Sequence, residues 1–208
     1  MIETASQIVA PLILLVLLYI DYFLIAHRIR GELRQRGFNA FSRVMQLGYM
    51  NRLLVFGFQV AIAINIDLNN DTTTLLFLLL FVPSFGILLM SSRDSKRLFH
   101  LNNARRILTI REIILIHLSY ALFCGAWVMP LLVNLANDSL KSTAMTSVTL
   151  ANGIAGFIIA FVQEPAMQRL SKSHADLEKF LEVTRWIRRN VSIGILVLTT
   201  ACFFWVNL

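Results

Sequence analysis

Asp21 and Arg52 are the residues whose chemistry sits least comfortably with their neighbours. Asp21 lies inside the apolar run VAPLILLVLLYIDYFLIAH, and Asn51-Arg52 open the run MNRLLVFGFQVAIAI. An ionised side chain in a hydrocarbon layer costs about 2.5–3.5 kcal/mol on insertion scales, so it persists where it is paired or used. Asp21 stands six residues before His27 and Arg52 six beyond Gln46, which puts each roughly 9 Å inside its run at helical rise. His117, six residues past Arg111, reaches the same layer, Gln163 and Glu164 approach it from a later run, and Asn51 and Gln59 line the second. Two chemistries fit. One is a structural ion pair between Asp21 and Arg52. The other is a cavity open to the cytoplasm, in which Arg52, with Arg28, Arg30, Asn51 and Gln59, receives a phosphate-bearing head group. Arginine suits that role because its planar fork donates two hydrogen bonds at once. Asp21, His117 and Glu164 would then act as charge partners or take up protons.

The elements that must position these residues are membrane helices. Of 208 residues, 57% are hydrophobic and 15% charged, and the mean hydropathy is +0.67. Soluble domains carry about 25% charged residues, so the composition points to an all-α integral membrane protein forming a single polytopic domain. A span needs roughly 20 apolar residues, and six such stretches fit, at about 6–27, 46–66, 74–92, 111–134, 143–163 and 190–207. The first run lacks a basic leader and a small-residue cleavage site, so it is expected to be a retained span rather than a signal peptide.

Charge placement orients them. Seventeen of the nineteen basic residues fall in three alternate loops: Arg28, Arg30, Arg34, Arg36 and Arg43; Arg93, Lys96, Arg97, Arg105, Arg106 and Arg111; Arg169, Lys172, Lys179, Arg185, Arg188 and Arg189. The intervening loops carry only Lys141. Positive loops stay cytoplasmic, which predicts both termini outside and gives the net charge of +7 a role in attracting anionic lipid rather than nucleic acid. In the last basic loop Met167, Leu170, Leu177, Leu181 and Ile187 recur at near-helical spacing, which predicts an amphipathic helix on the cytoplasmic leaflet before the last span.

Pro83 and Pro130 interrupt the third and fourth spans and are candidate hinges, with FVPSFG the candidate for a broken helix lining a cavity. Ser147, Ala151 and Ala155 form a small-residue stripe on the fifth, suited to close packing within one protomer or to a homodimer contact. Cys124 and Cys202 lie deep in apolar runs and read as packing. No zinc-protease, serine-hydrolase, paired-aspartate or glycine-loop motif is present, so neither a metal, nor a cofactor, nor an enzymatic activity is expected.

Four short motifs, in order, resemble the Amj family of alternate lipid II flippases. IDYFLIAHRIRG is similar to its Ile-Asp followed by Arg and Gly, and MNRLLVFGFQ to its Asn-containing second span, with Asn51 in the matching place. LLFVPSFGILLM looks like its Pro-containing third span, aligning Pro83, and VQEPAMQRLSKS is a looser match in which Glu164 and Pro165 correspond. The chain departs from the family in being shorter and in carrying Gln59 where the family has an Arg, which leaves Arg52 to replace that function or the substrate to differ. The resemblance implies translocation of an undecaprenyl-diphosphate-linked precursor such as lipid II across the bacterial inner membrane. A non-catalytic partner subunit of an envelope-synthesis complex and a small ion exchanger or channel remain the alternatives.

Overall fold

The computed structural model describes residues 2–33, 37–67, 72–94, 104–136 and 141–207, and these are helical without any strand. The helices are α1 (Ile2–Leu33), α2 (Gly37–Asp67), α3 (Thr72–Asp94), α4 (Ile110–Ala126), α5 (Met129–Ala136), α6 (Lys141–Ile158), α7 (Glu164–Leu170) and α8 (His174–Asn207), with a π-helical segment, Ile159–Gln163, joining α6 to α7. Among the described residues three stretches are long and apolar enough to cross a membrane: Gln7–Gly31, Thr73–Met90 and Thr146–Leu170. Leu53–Asp67 is a shorter apolar segment.

Helices rich in Leu, Ile and Ala satisfy their backbone internally, which is the condition for residence in lipid. They bury one another's apolar faces in a bundle: α1 packs on α2 and α3, α3 on α8, α4 and α5 on α6, and α8 also touches α1, α4 and α7. One core gathers Leu14, Leu17, Phe58, Ile62, Leu75, Leu79 and Trp127; a second, toward the other end of α1, gathers Ala26, Ile29, Ile113, Ile116, Met167 and Phe180. The outside is apolar as well. Leu53, Leu150, Phe161 and Leu198 are each at least two-thirds exposed. Water would penalise such a surface, whereas lipid tails accept it.

Local chemistry explains the helix joints. Thr109 caps α4: its hydroxyl accepts from the Glu112 N–H at 3.2 Å while Glu112 accepts from the Thr109 N–H at 2.8 Å, two donors satisfied reciprocally. The fourth predicted span is broken at Trp127–Val128, and Pro130 stands in the first turn of α5, where its missing N–H has no partner to lose. Trp127 fills the break, edge-on to Phe58 and Phe123 with centroids at 5.4 and 5.9 Å.

Pro83 behaves otherwise. It is buried inside α3, which runs unbroken from Thr72 to Asp94, so this helix does not break there. Close by, Gly86 lets α3 approach α1, since a Cβ at that position would lie 2.4 Å from Leu15 Cδ1.

The predicted amphipathic helix is not a separate element. Its first residues form α7, continuous with the fifth span, and the remainder is the N-terminal half of α8. No proline interrupts His174–Asn207, so the helix runs on without a break into the stretch predicted as the last span. Leu177, Leu181 and Ile187 pack into the second core against α1 and α4 instead of facing a lipid leaflet. The stripe on α6 also turns inward: Ala155 is fully buried and Ala151 nearly so, on the helix that packs against α4 and α5.

Candidate polar site between α1, α4 and α8

Among the described residues Asp21 forms an ion pair with Arg188, Nη2 to Oδ2 at 2.6 Å. Arg188 reaches it from α8, on the stripe Leu177, Leu181, Thr184, Arg188, Ser192, Thr199, all of them buried. Steps of three, four and seven residues keep that stripe on one helix face. Only 5% of the Arg188 side chain is exposed, against 21% for Asp21. A lone guanidinium so placed would be prohibitive. Here its charge is answered by the carboxylate and by the faces of Tyr22 and Tyr120, whose centroids lie 5.4 and 4.8 Å from Cζ.

Beside the pair opens a cleft with about 360 Å³ of empty space, counting the part continuous with the outside. Asp21, Ser119, Tyr120, Gln163, Thr184 and Arg188 supply its polar lining, and Ile116, Phe123, Ile159 and Ile187 its apolar walls. It is narrow: water fits within it and a sugar ring does not. Ser119 and Thr184 spend their hydroxyl protons on the Ile116 and Leu181 carbonyls. One donor stands out. Arg188 Nη1 is buried and has no hydrogen-bond partner among the described residues. An orphaned donor of this kind calls for a reason, and a ligand or an ordered water is the ordinary one.

The π segment keeps Gln163 on the buried stripe of α6. Along α6 the buried positions Ala151, Ala155 and Ile158 advance by four and three residues, and the next, Gln163, comes five later. A π turn absorbs the extra residue. It also delivers Glu164 to Arg28, the two forming an ion pair in which each side chain is a quarter to a third exposed. A third pair holds the helix ends together: Arg169 grips Glu112 with both arms, at 3.0 and 3.1 Å.

The sequence-predicted residues thus separate. Asp21 and Gln163 share the cleft, and Glu164 and Arg28 pair nearby. Among the described residues the partner of Asp21 is Arg188; the Asp21–Arg52 pair, one of the two chemistries read from the sequence, falls on a side chain outside the described residues. The side chains of Arg52, Arg34, Arg36, Arg43, Arg93, Lys96, Arg97, Lys141 and Cys202 lie outside the described residues. Arg30 is exposed, and Gln59 is half-buried on α2. Asn51 keeps a buried Oδ1 without a partner among the described residues. His117 does not line the cleft: its Nδ1 lies 2.8 Å from the Ile113 carbonyl, and its ring meets Trp186 edge-on at 5.2 Å. A histidine held this way joins helices.

Arg188, Tyr22 and Tyr120 were not singled out by sequence reasoning. Continuing the spacing of Leu177 and Leu181 by three and four would have put Thr184 and Arg188 on the buried face. Among the described residues no cluster of His, Cys, Asp and Glu is arranged to hold a metal. Comparisons with protein-family models, curated proteins and solved structures return no match.

Proposed function

We propose that the chain is a multi-pass transporter of the bacterial inner membrane that moves a polyprenyl-diphosphate-linked precursor, of which lipid II is the type. The observation that carries this reading is Arg188, buried among apolar helices with one edge on Asp21 and Nη1 unsatisfied beside the cleft. A phosphate is the group a guanidinium takes in two-pronged fashion. The resemblance to the Amj family supplies the lipid-linked diphosphate as substrate, and the basic loops place its starting side at the cytoplasm, with six passes and both termini outside.

The arrangement suggests exchange of charge partners. A diphosphate entering between α1 and α8 competes with Asp21 for Arg188 and with Glu164 for Arg28. Both ion pairs tie α1 to the C-terminal half of the chain, so displacing the carboxylates loosens α1 from α8 and widens the cleft. The displaced acids become proton acceptors, and their return to the arginines expels the head group. The polyprenyl tail stays in lipid throughout, so the protein need shield only the polar head. No covalent bond changes, and the role is transport rather than catalysis.

The narrowness of the cleft favours one second reading, a partner subunit of an envelope-synthesis complex whose ion pairs are purely structural. Rescue separates the two. Wild-type protein expressed in bacteria depleted of their main lipid II flippase restores growth if the first reading holds, while Asp21→Asn and Arg188→Gln at matched membrane levels do not. Growth restored equally by all three would remove the ion pair from the mechanism. Failure of all three despite correct insertion would favour the partner subunit.

A further inference from the structure

We propose that the basic end of α4 binds the head group of an anionic phospholipid, with one acyl chain lying along the helix. Arg105, Arg106 and Arg111 are all exposed at that end. Glu112, the single acid between residues 104 and 126, is already held by Arg169, which also reaches the Ile107 carbonyl at 3.5 Å. Among the described residues no carboxylate pairs with the three arginines; Arg111 stands in the first turn of α4, and Arg105 and Arg106 on the preceding turn, which is fixed to α7 by Arg169 and to α4 by the Thr109–Glu112 capping box.

Below them runs an apolar stripe. Ile110, Ile114 and Leu118 are 52%, 59% and 46% exposed, at i, i+4 and i+8 on one face. Ile114 and Leu118 stand three and seven residues beyond Arg111, so the charge and the stripe share that face, and the seven residues cover roughly 10 Å. The opposite face, carrying Ile113, Ile116 and Tyr120, is buried in the bundle. A positive head and an apolar rail are complementary to a negative head group carrying a hydrocarbon tail. A second copy of the chain is disfavoured as occupant, because meeting through this face would bring two sets of three arginines together. The site is separate from the Asp21–Arg188 cleft and stands whether or not that cleft transports.

The test is a lipid titration by native mass spectrometry on the full chain purified in detergent. Phosphatidylglycerol is compared with phosphatidylcholine of the same acyl chains and with inorganic phosphate, for wild type, R105Q/R106Q/R111Q and I114S/L118S. Each arginine at an anionic head is expected to contribute about fivefold, so the triple variant loses on the order of 100-fold in phosphatidylglycerol affinity while its weak phosphatidylcholine binding stays unchanged. The serine pair weakens phosphatidylglycerol with the arginines intact, and phosphate alone does not bind. Equal affinity for both lipids, an unchanged triple variant, or binding of free phosphate as tight as lipid would each overturn the proposal.

Discussion

Replacing Asp21 with Asn takes the carboxylate from a guanidinium that cannot swing out to water, because Tyr22 and Tyr120 hold it on two sides. Removing one partner of a buried ion pair costs about 3–5 kcal/mol. Arg188, 5% exposed, meets that premise, whereas Asp21, 21% exposed at the cleft, meets it in part. Asn also retains an acceptor oxygen, so we expect about 2–3 kcal/mol for Asp21→Asn. Arg188→Leu strands a carboxylate that the cleft can hydrate, and should cost less, about 1–2 kcal/mol. The Asp21→Asn/Arg188→Leu double variant should then be more stable than Asp21→Asn alone, since no unanswered charge remains. Unfolding of purified protein by dodecyl sulfate in mixed micelles, followed by far-ultraviolet circular dichroism, reads all four corners of the cycle. An Asp21→Asn loss below about 0.5 kcal/mol, or a double variant equal to the sum of the singles within that margin, would refute the reasoning.

Other expectations follow from the packing. Gly86→Ala should lower the thermal midpoint only slightly, because the atom in the way is the end of the flexible Leu15 side chain, while Gly86→Leu should cost about 1–3 kcal/mol and be relieved by Leu15→Ala. Thr109→Ala should cost about 1 kcal/mol through loss of the α4 cap, more than Arg169→Ala, whose exposed pair with Glu112 is worth under about 1 kcal/mol. Raising salt should shrink the Arg169 effect and leave the Thr109 effect in place. Pro130→Ala should change stability by less than about 0.5 kcal/mol, since the residue stands in a first turn; a midpoint shift of many degrees would mean that the break at Trp127–Val128 depends on it.

The helices were legible because lipid imposes length and apolarity, and α1, α3 and α6–α7 carry both plainly. The polar layer was legible in depth and not in rotation. Counting from helix ends put Asp21 and Gln163 at one level, but azimuth decides partners, and it gave Asp21 to Arg188. Arg188 was hidden by its neighbours: beside Arg185 and Arg189 it reads as part of a solvated loop, and only the buried face of a helix continuous from His174 reveals it. The two prolines show the same limit. Both lower helix stability locally, yet α3 absorbs Pro83 in its buried interior while α4 ends before Pro130. Tertiary packing decides which proline becomes a joint.

The π segment has a genetic corollary. In an uninterrupted α-helix the position four beyond Ile158 is Val162, so the buried stripe of α6 would pass through that valine and Gln163 would turn off it. Polarity at this site is therefore set by helical phase: a single in-frame codon deletion between Ile159 and Val162 would take out the extra residue and leave Gln163 and Glu164 on the same face of a plain α-helix, whereas a one-codon insertion there would turn both away. Saturation by substitution alone would miss that axis of variation, and libraries built to alter what the cleft accepts should include one-codon insertions and deletions there.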